Sequence, residues 1–125
     1  MNIKSNLEQI KSKISKDIKV IAVSKTKSNN EILEAYNCGQ LSFGENKVQE
    51  LIKKSSVLPK DIEWHFIGHL QRNKVKFIIP FIHLIQSVDS FSLIDEINKR
   101  AEKENRIINC LIQIKIASEE SKFGF

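Results

Sequence analysis

In the stretch VIAVSKTKS, residues 20–28, a lysine stands two residues beyond the apolar run Val20-Ile21-Ala22-Val23, with Ser24 between. The run reads as a buried strand, so Lys25 sits where such a strand ends. A lysine partly desolvated at the mouth of a pocket has its charged form disfavoured. The neutral amine is the form that attacks a carbonyl, so this placement suits Schiff-base formation with an aldehyde. A solvated lysine that merely ends a strand is the plainer reading of the same position. Other chemistry-bearing residues recur at comparable places: Gly44-Glu45-Asn46, the histidines of HFIGH from His65 to His69, Ser87 with Asp89, and Ser121 with Lys122. Asn46 reads either as the N-cap of KVQELIKK or as a site residue. Glu45 reads as a first-turn helix carboxylate favoured by the helix dipole, and Asp89 and Ser90 as a capping pair. No carboxylate or cysteine lies at ligand spacing from His65 or His69, which argues against a metal site.

These residues need elements to position them. Five strand-like runs begin at residues 18, 41, 63, 83 and 106, an even pitch of the kind a βα array produces. Residues 2–16 place Ile3, Leu7, Ile10 and Ile14 at amphipathic helical spacing. SNNEILEAYNCG has a Ser or Asn cap and closes on Gly39. NKVQELIKKSSV carries Val48, Leu51, Ile52 and Ser55 on one face. NKVKFII stops at Pro80. SFSLIDEINKRAEKEN starts at a Ser90 cap with Leu93, Ile94, Ile97 and Ala101 on one stripe. The strands are near-continuous apolar runs, as expected of strands covered on both faces, so the sheet is expected to be parallel. Right-handed crossovers then give an open doubly wound sheet or a (β/α) barrel. The absence of a Gly-x-Gly-x-x-Gly or Walker-type loop removes the main support for a nucleotide-binding open sheet.

In parallel α/β folds chemistry gathers at the carboxyl ends of the strands. All five expected strand ends here are polar. If Lys25 points inward, alternation sends Ile21 and Val23 the same way, and His65, Ile67 and His69 share a face. Such a pocket is apolar low down and polar at the rim. Pyridoxal 5′-phosphate is the commonest aldehyde cofactor held by a lysine Schiff base.

Composition narrows the classes. The chain has 125 residues, 41% hydrophobic and 28% charged, which fits one globular domain rather than a disordered segment. Its net charge of +5 comes from dispersed lysines that alternate with Glu along helix-like segments. A solvated helix face accounts for them better than a nucleic-acid surface does. Cys38 and Cys110 follow no metal-ligand spacing and read as reduced, structural thiols. The polar N-terminus is unlike a signal peptide and no apolar run has membrane-span length, so a cytoplasmic protein is expected.

The motifs AVSKTK, FGENKVQE, WHFIGHLQRNK and SKFGF, in that order, resemble the successive signatures of the pyridoxal phosphate homeostasis protein family. That family is similar to the N-terminal barrel domain of alanine racemase. The resemblance implies a partial (β/α) TIM-type barrel with an N-terminal helix and about five parallel strands. It implies pyridoxal 5′-phosphate held on Lys25, with Asn46 beside it and His65 and Ile67 lining the pocket. Lys27 and Lys122 would lie nearer the rim. It further implies a non-catalytic carrier that buffers the cofactor supply, with cofactor-dependent apo-enzymes as candidate recipients. Two other readings are a vestigial fragment with weak cofactor binding and a racemase-like enzyme. The expected state is a monomer or a species self-associated through sheet edges, without nucleic-acid or membrane partners. Family members usually carry Asn where this chain has Lys115. In them, later strands supply the phosphate site. A closed eight-stranded barrel takes roughly 250 residues. Residues 1–125 are therefore expected to form one cofactor-binding, C-terminally truncated domain matching the first half or slightly more of a family member.

Overall fold

The computed structural model describes residues 2–116 and 123–125. The chain opens with helix α1 (Ile3–Ser12), whose N-cap Asn2 side chain accepts from the Ser5 N–H at 2.8 Å. Strands and helices then alternate: β1 (Ala22–Val23), α2 (Asn29–Asn37), β2 (Ser42–Glu45), α3 (Val48–Val57), β3 (Glu63–Phe66), a 3-10 turn (Arg72–Lys74) running into α4 (Val75–Ile78), β4 (Leu84–Val88), α5 (Phe91–Lys103) and β5 (Asn109–Ile112). The expected pitch is thus realised as four βα repeats followed by a fifth strand. All neighbouring strands are parallel, in the spatial order β1-β2-β3-β4-β5. A chain-order sheet with right-handed crossovers puts every helix on the same face, which is how a barrel wall is laid down and an open doubly wound sheet is not.

Local chemistry sets the helix limits. Ser28 caps α2 through a capping box with Glu31. Gly39, at φ 97°, ends it: the Gly39 N–H donates to Tyr36 O and the Gln40 N–H to Ala35 O, the paired bonds of a Schellman motif. Asn105, at φ 52°, ends α5 in the same way, with Arg106 N–H donating to Ala101 O. Ser90 caps the start of α5, as its sequence suggests.

The core lies between the sheet and the helices. Phe43, Trp64, Phe66 and Ile85 point from the strands into it, against Leu51, Ile78 and Ile97 of the helices. The Phe43 and Trp64 rings lie 5.9 Å apart at the centroids. Strand pairing places Val23, Gly44, His65, Leu84 and Asn109 in one row on the opposite, inner face. Apolar groups there are less covered: Val23 is 53% and Leu111 51% exposed.

The first strand is shorter than its apolar run suggests. Gln40, buried, donates its amide to the carbonyls of Val20 and Ser42 at 2.8 and 2.7 Å. A side chain thereby satisfies the backbone where ladder bonds were expected. Past β5, residues 123–125 return alongside it: Lys115 N–H donates to Phe125 O and Phe125 N–H to Gln113 O. Lys115 is partly exposed there. Ser121 and Lys122 lie outside the described residues.

Candidate functional site

The strand ladder continues one step past the carboxyl ends of β1, β2 and β3. Ser24 N–H donates to Gly44 O at 3.0 Å, and Ile67 N–H donates to Glu45 O at 2.9 Å. Extended by one residue, that register sets Asn46 and Ile67 level with Lys25, the first residue of the turn after β1, as the rim row of the inner face, one row above Val23, Gly44 and His65. Ile21, Ser42 and Glu63 form the row below. The structure thus brings three of the four residues singled out from the sequence into one row and sets the fourth, His65, directly beneath.

Each has a definite environment. Lys25 is exposed, and its ammonium has no hydrogen-bond or ion-pair partner among the described residues. The desolvation expected for it is therefore not supplied by the described residues. Asn46 does not cap α3: the N-cap is Lys47, without a side-chain bond. The Asn46 Oδ1 is buried and has no partner among the described residues. A close approach fixes that residue. A Cβ on Gly68 would sit 2.6 Å from Asn46 O and 2.9 Å from its Cα, so only glycine lets the end of β3 pass. Gly44 is covered by the side chains of Ile67 and Ile21.

His65 is 2% exposed. Its Nδ1 lies 3.3 Å from the Gln86 amide nitrogen; that amide donates, which leaves the ring proton on Nε2. Nε2 is buried and unpartnered among the described residues. Burial first, then the neighbouring His83 and Lys19, push His65 down to about 4, so the ring is neutral near pH 7. Beneath it Glu63 accepts from Lys19 at 2.9 Å and from Ser42 at 3.0 Å. The Lys19 ammonium is the main cause that holds the Glu63 carboxyl below its ordinary range.

The other side of the rim is closed by polar ties. Ser87 donates to the Gly68 carbonyl, and His69 Nδ1 lies 3.2 Å from Asp89. The Phe123 ring stacks on His69 at 3.8 Å and 14°. A cleft of about 320 Å³ lies at the ends of β2 and β3, lined in part by Asn46, Phe66, His69 and Lys74. Among the described residues no group of His, Cys, Asp or Glu is arranged to hold a metal ion.

Sequence reasoning missed what lies behind the rim. Glu45, read as a first-turn helix carboxylate, is the last residue of β2, fully buried on the helix side. It is paired with Lys54 at 2.8 Å. Lys54 is buried too and also pairs with Glu50 at 2.7 Å, holding the Glu50 carboxyl below its ordinary range. The available signal was position: Lys54 falls three residues after Leu51, within the apolar stripe of α3 rather than on its solvated face.

Residues 1–125 match the family model described as alanine racemase, N-terminal domain. The chain belongs to that family. Within the alanine racemase N-terminal domain family its similarity is to pyridoxal phosphate homeostasis proteins. The one from Aquifex aeolicus is 48% identical over 107 residues, covering 85% of this chain and 47% of that protein. The solved structure of PipY from Synechococcus elongatus without pyridoxal phosphate superposes with a TM-score of 0.92 at 35% identity, covering 98% of this chain and 58% of that one. The form of PipY with pyridoxal phosphate bound gives 0.88 at 36% identity, covering 94% and 57%. The chain thus spans about half the length of the relatives it matches. The partial barrel of five parallel strands expected from the sequence is the observed fold. Among the described residues no helix is long and apolar enough to cross a membrane.

Proposed function

We propose that residues 1–125 act as one unit that binds pyridoxal 5′-phosphate through a Schiff base on Lys25. We further propose that the chain serves cytoplasmic cofactor homeostasis as a carrier rather than a catalyst. The cofactor contributes an aldehyde to which a lysine amine bonds with loss of one water. The observation that carries the reading is the rim row. An exposed lysine, unpaired among the described residues, stands past β1 level with an asparagine whose buried side-chain oxygen lacks a partner among them. A neutral histidine whose buried Nε2 has no partner among the described residues lies one row below. Unpaired buried polar atoms are costly unless something satisfies them, and a polar small molecule over this face would do so. Ile67 supplies an apolar surface beside a ring. The pyridoxal phosphate bound in PipY supports the choice of cofactor. The relatives are named homeostasis proteins rather than enzymes, which supports the carrier reading and apo-enzymes as recipients.

The test is direct. Mixing the chain with pyridoxal 5′-phosphate should give a yellow species, and borohydride followed by peptide mass mapping should fix the cofactor on Lys25. Lys25→Ala should bind at least tenfold more weakly. Unchanged affinity in a folded Lys25→Ala protein would sink the proposal, and turnover of an amino acid that depends on Lys25 would replace the carrier with an enzyme.

A further inference from the structure

The turn that presents Lys25 is held in an unfavourable shape. Lys27 N–H donates to Ser24 O at 3.0 Å, closing a four-residue turn with Lys25 and Thr26 at its centre. Thr26 has φ 65°, a left-handed conformation that turns of this kind normally reserve for Gly or Asn. A β-branched residue there is a real outlier and persists only where the surroundings over-determine it.

Those surroundings are a buried ion cluster on the far side of the sheet. Lys54 Nζ donates to three oxygens: Ser24 O at 2.8 Å, Glu45 Oε2 at 2.8 Å and Glu50 Oε2 at 2.7 Å. Three donors meet three acceptors, so the ammonium is fully used. Glu50 Oε2 also accepts the Thr26 N–H at 2.7 Å. Ser24 Oγ donates to the same Glu45 oxygen. The backbone groups on either side of Lys25, the Ser24 carbonyl and the Thr26 N–H, are therefore gripped by one ion pair, the buried Lys54 ammonium and the partly exposed Glu50 carboxylate. The Lys25 side chain takes no part in it.

We propose that Lys54 and Glu50 are positioning residues: they clamp the turn around Lys25 from behind the sheet, so that its amine leaves on the inner face beside Asn46. The clamp explains why a strained threonine is tolerated at position 26. It also explains why a lysine and two glutamates gather where a plain apolar contact would serve the core. The proposal rests on the reading of Lys25 as the cofactor lysine.

Three variants of the full chain test it: Glu50→Ala, Glu50→Ala with Thr26→Gly, and Lys54→Met with Glu45→Gln, which avoids leaving a buried carboxylate unpaired. The readout is the ratio of borohydride-trapped pyridoxal 5′-phosphate on Lys25 to that on Lys27, which loss of stability alone does not move. In folded Glu50→Ala and in folded Lys54→Met/Glu45→Gln the ratio should fall about tenfold. Adding Thr26→Gly should recover most of it, since glycine adopts φ 65° without the clamp. An unchanged ratio in both clamp variants would overturn the proposal. Hydrogen exchange of the Thr26 amide, which needs no cofactor, separates the two readings. Protection in the parent chain and its loss in Glu50→Ala support the clamp even if Lys25 is not labelled; an unprotected Thr26 amide in the parent overturns it.

Discussion

At the carboxyl end of β1 the two faces of the sheet each hold a lysine, and the two could hardly be treated more differently. Behind the sheet, Lys54 is buried and all three of its donors are used. On the inner face, Lys25 is exposed and unpaired among the described residues. The first is structural because its charge is spent on fixed oxygens. The second is available because nothing nearby claims it. Position relative to the sheet, not residue type, decides which lysine is free to react.

The sharpest way to break that contrast is to truncate each lysine in turn. Lys54→Met strands the fully buried Glu45 carboxylate and should cost about 3–5 kcal/mol of stability. Lys25→Ala removes an exposed side chain with no hydrogen bond or ion pair among the described residues and should stay within about 0.5 kcal/mol of the parent. Denaturant melts of the two variants measure the difference, and equal losses would erase the distinction.

Acid should probe the faces in sequence. His65 is held at about 4 in the folded chain against an ordinary 6.5, so the unfolded chain binds more protons between those values. Stability should therefore fall as the pH drops from 6.5 towards 4, by up to roughly 3 kcal/mol. His65→Gln should flatten that slope. Glu50 behind the sheet is depressed below 4.5, so its contribution is present above that value and lost only as the pH falls further. A stability profile by thermal melting should show the inner-face step at the higher pH.

The two glycines near the rim give the smallest contrast. Gly68→Ala drives a Cβ into the Asn46 backbone and should cost about 1–3 kcal/mol. Gly44→Ala meets side chains alone, Ile67 Cδ1 at 3.1 Å and Cγ2 at 3.3 Å and Ile21 Cγ2 at 3.4 Å, which can give by a few tenths of an ångström, so about 1 kcal/mol or less is expected. Equal costs would mean that the rim yields as easily as a side chain does.

The same contrast governs what was readable in advance. The helix-facing pattern was legible because burial is written in apolar periodicity: five strands in order, a cap for α2 among Ser28, Asn29 and Asn30 (the structure uses Ser28), the Ser90 cap and the Gly39 stop are all found, with β1 shorter than its run. The rim residues Lys25, Asn46 and Ile67 were legible because parallel strands in register carry their ends to one level. Three things were not. Gln40 shortens β1 with a long-range amide bond that no local pattern announces. Glu45 looks like a helix-start carboxylate because that role is set by neighbours in sequence, whereas its true partner is Lys54. The left-handed Thr26 has no local signal, since its cause lies on α3, behind the sheet.

The chain-order sheet has a kinetic meaning as well. Each strand pairs with the one made just before it, and the paired residues lie roughly twenty apart in sequence. Among the described strands no pairing waits for a remote segment, so loop-closure entropy is met in small, similar steps. The wall can assemble vectorially, one βα unit at a time, in the order in which a ribosome would release it. The rim row of Lys25, Asn46 and Ile67 would then be complete as soon as the third strand docks.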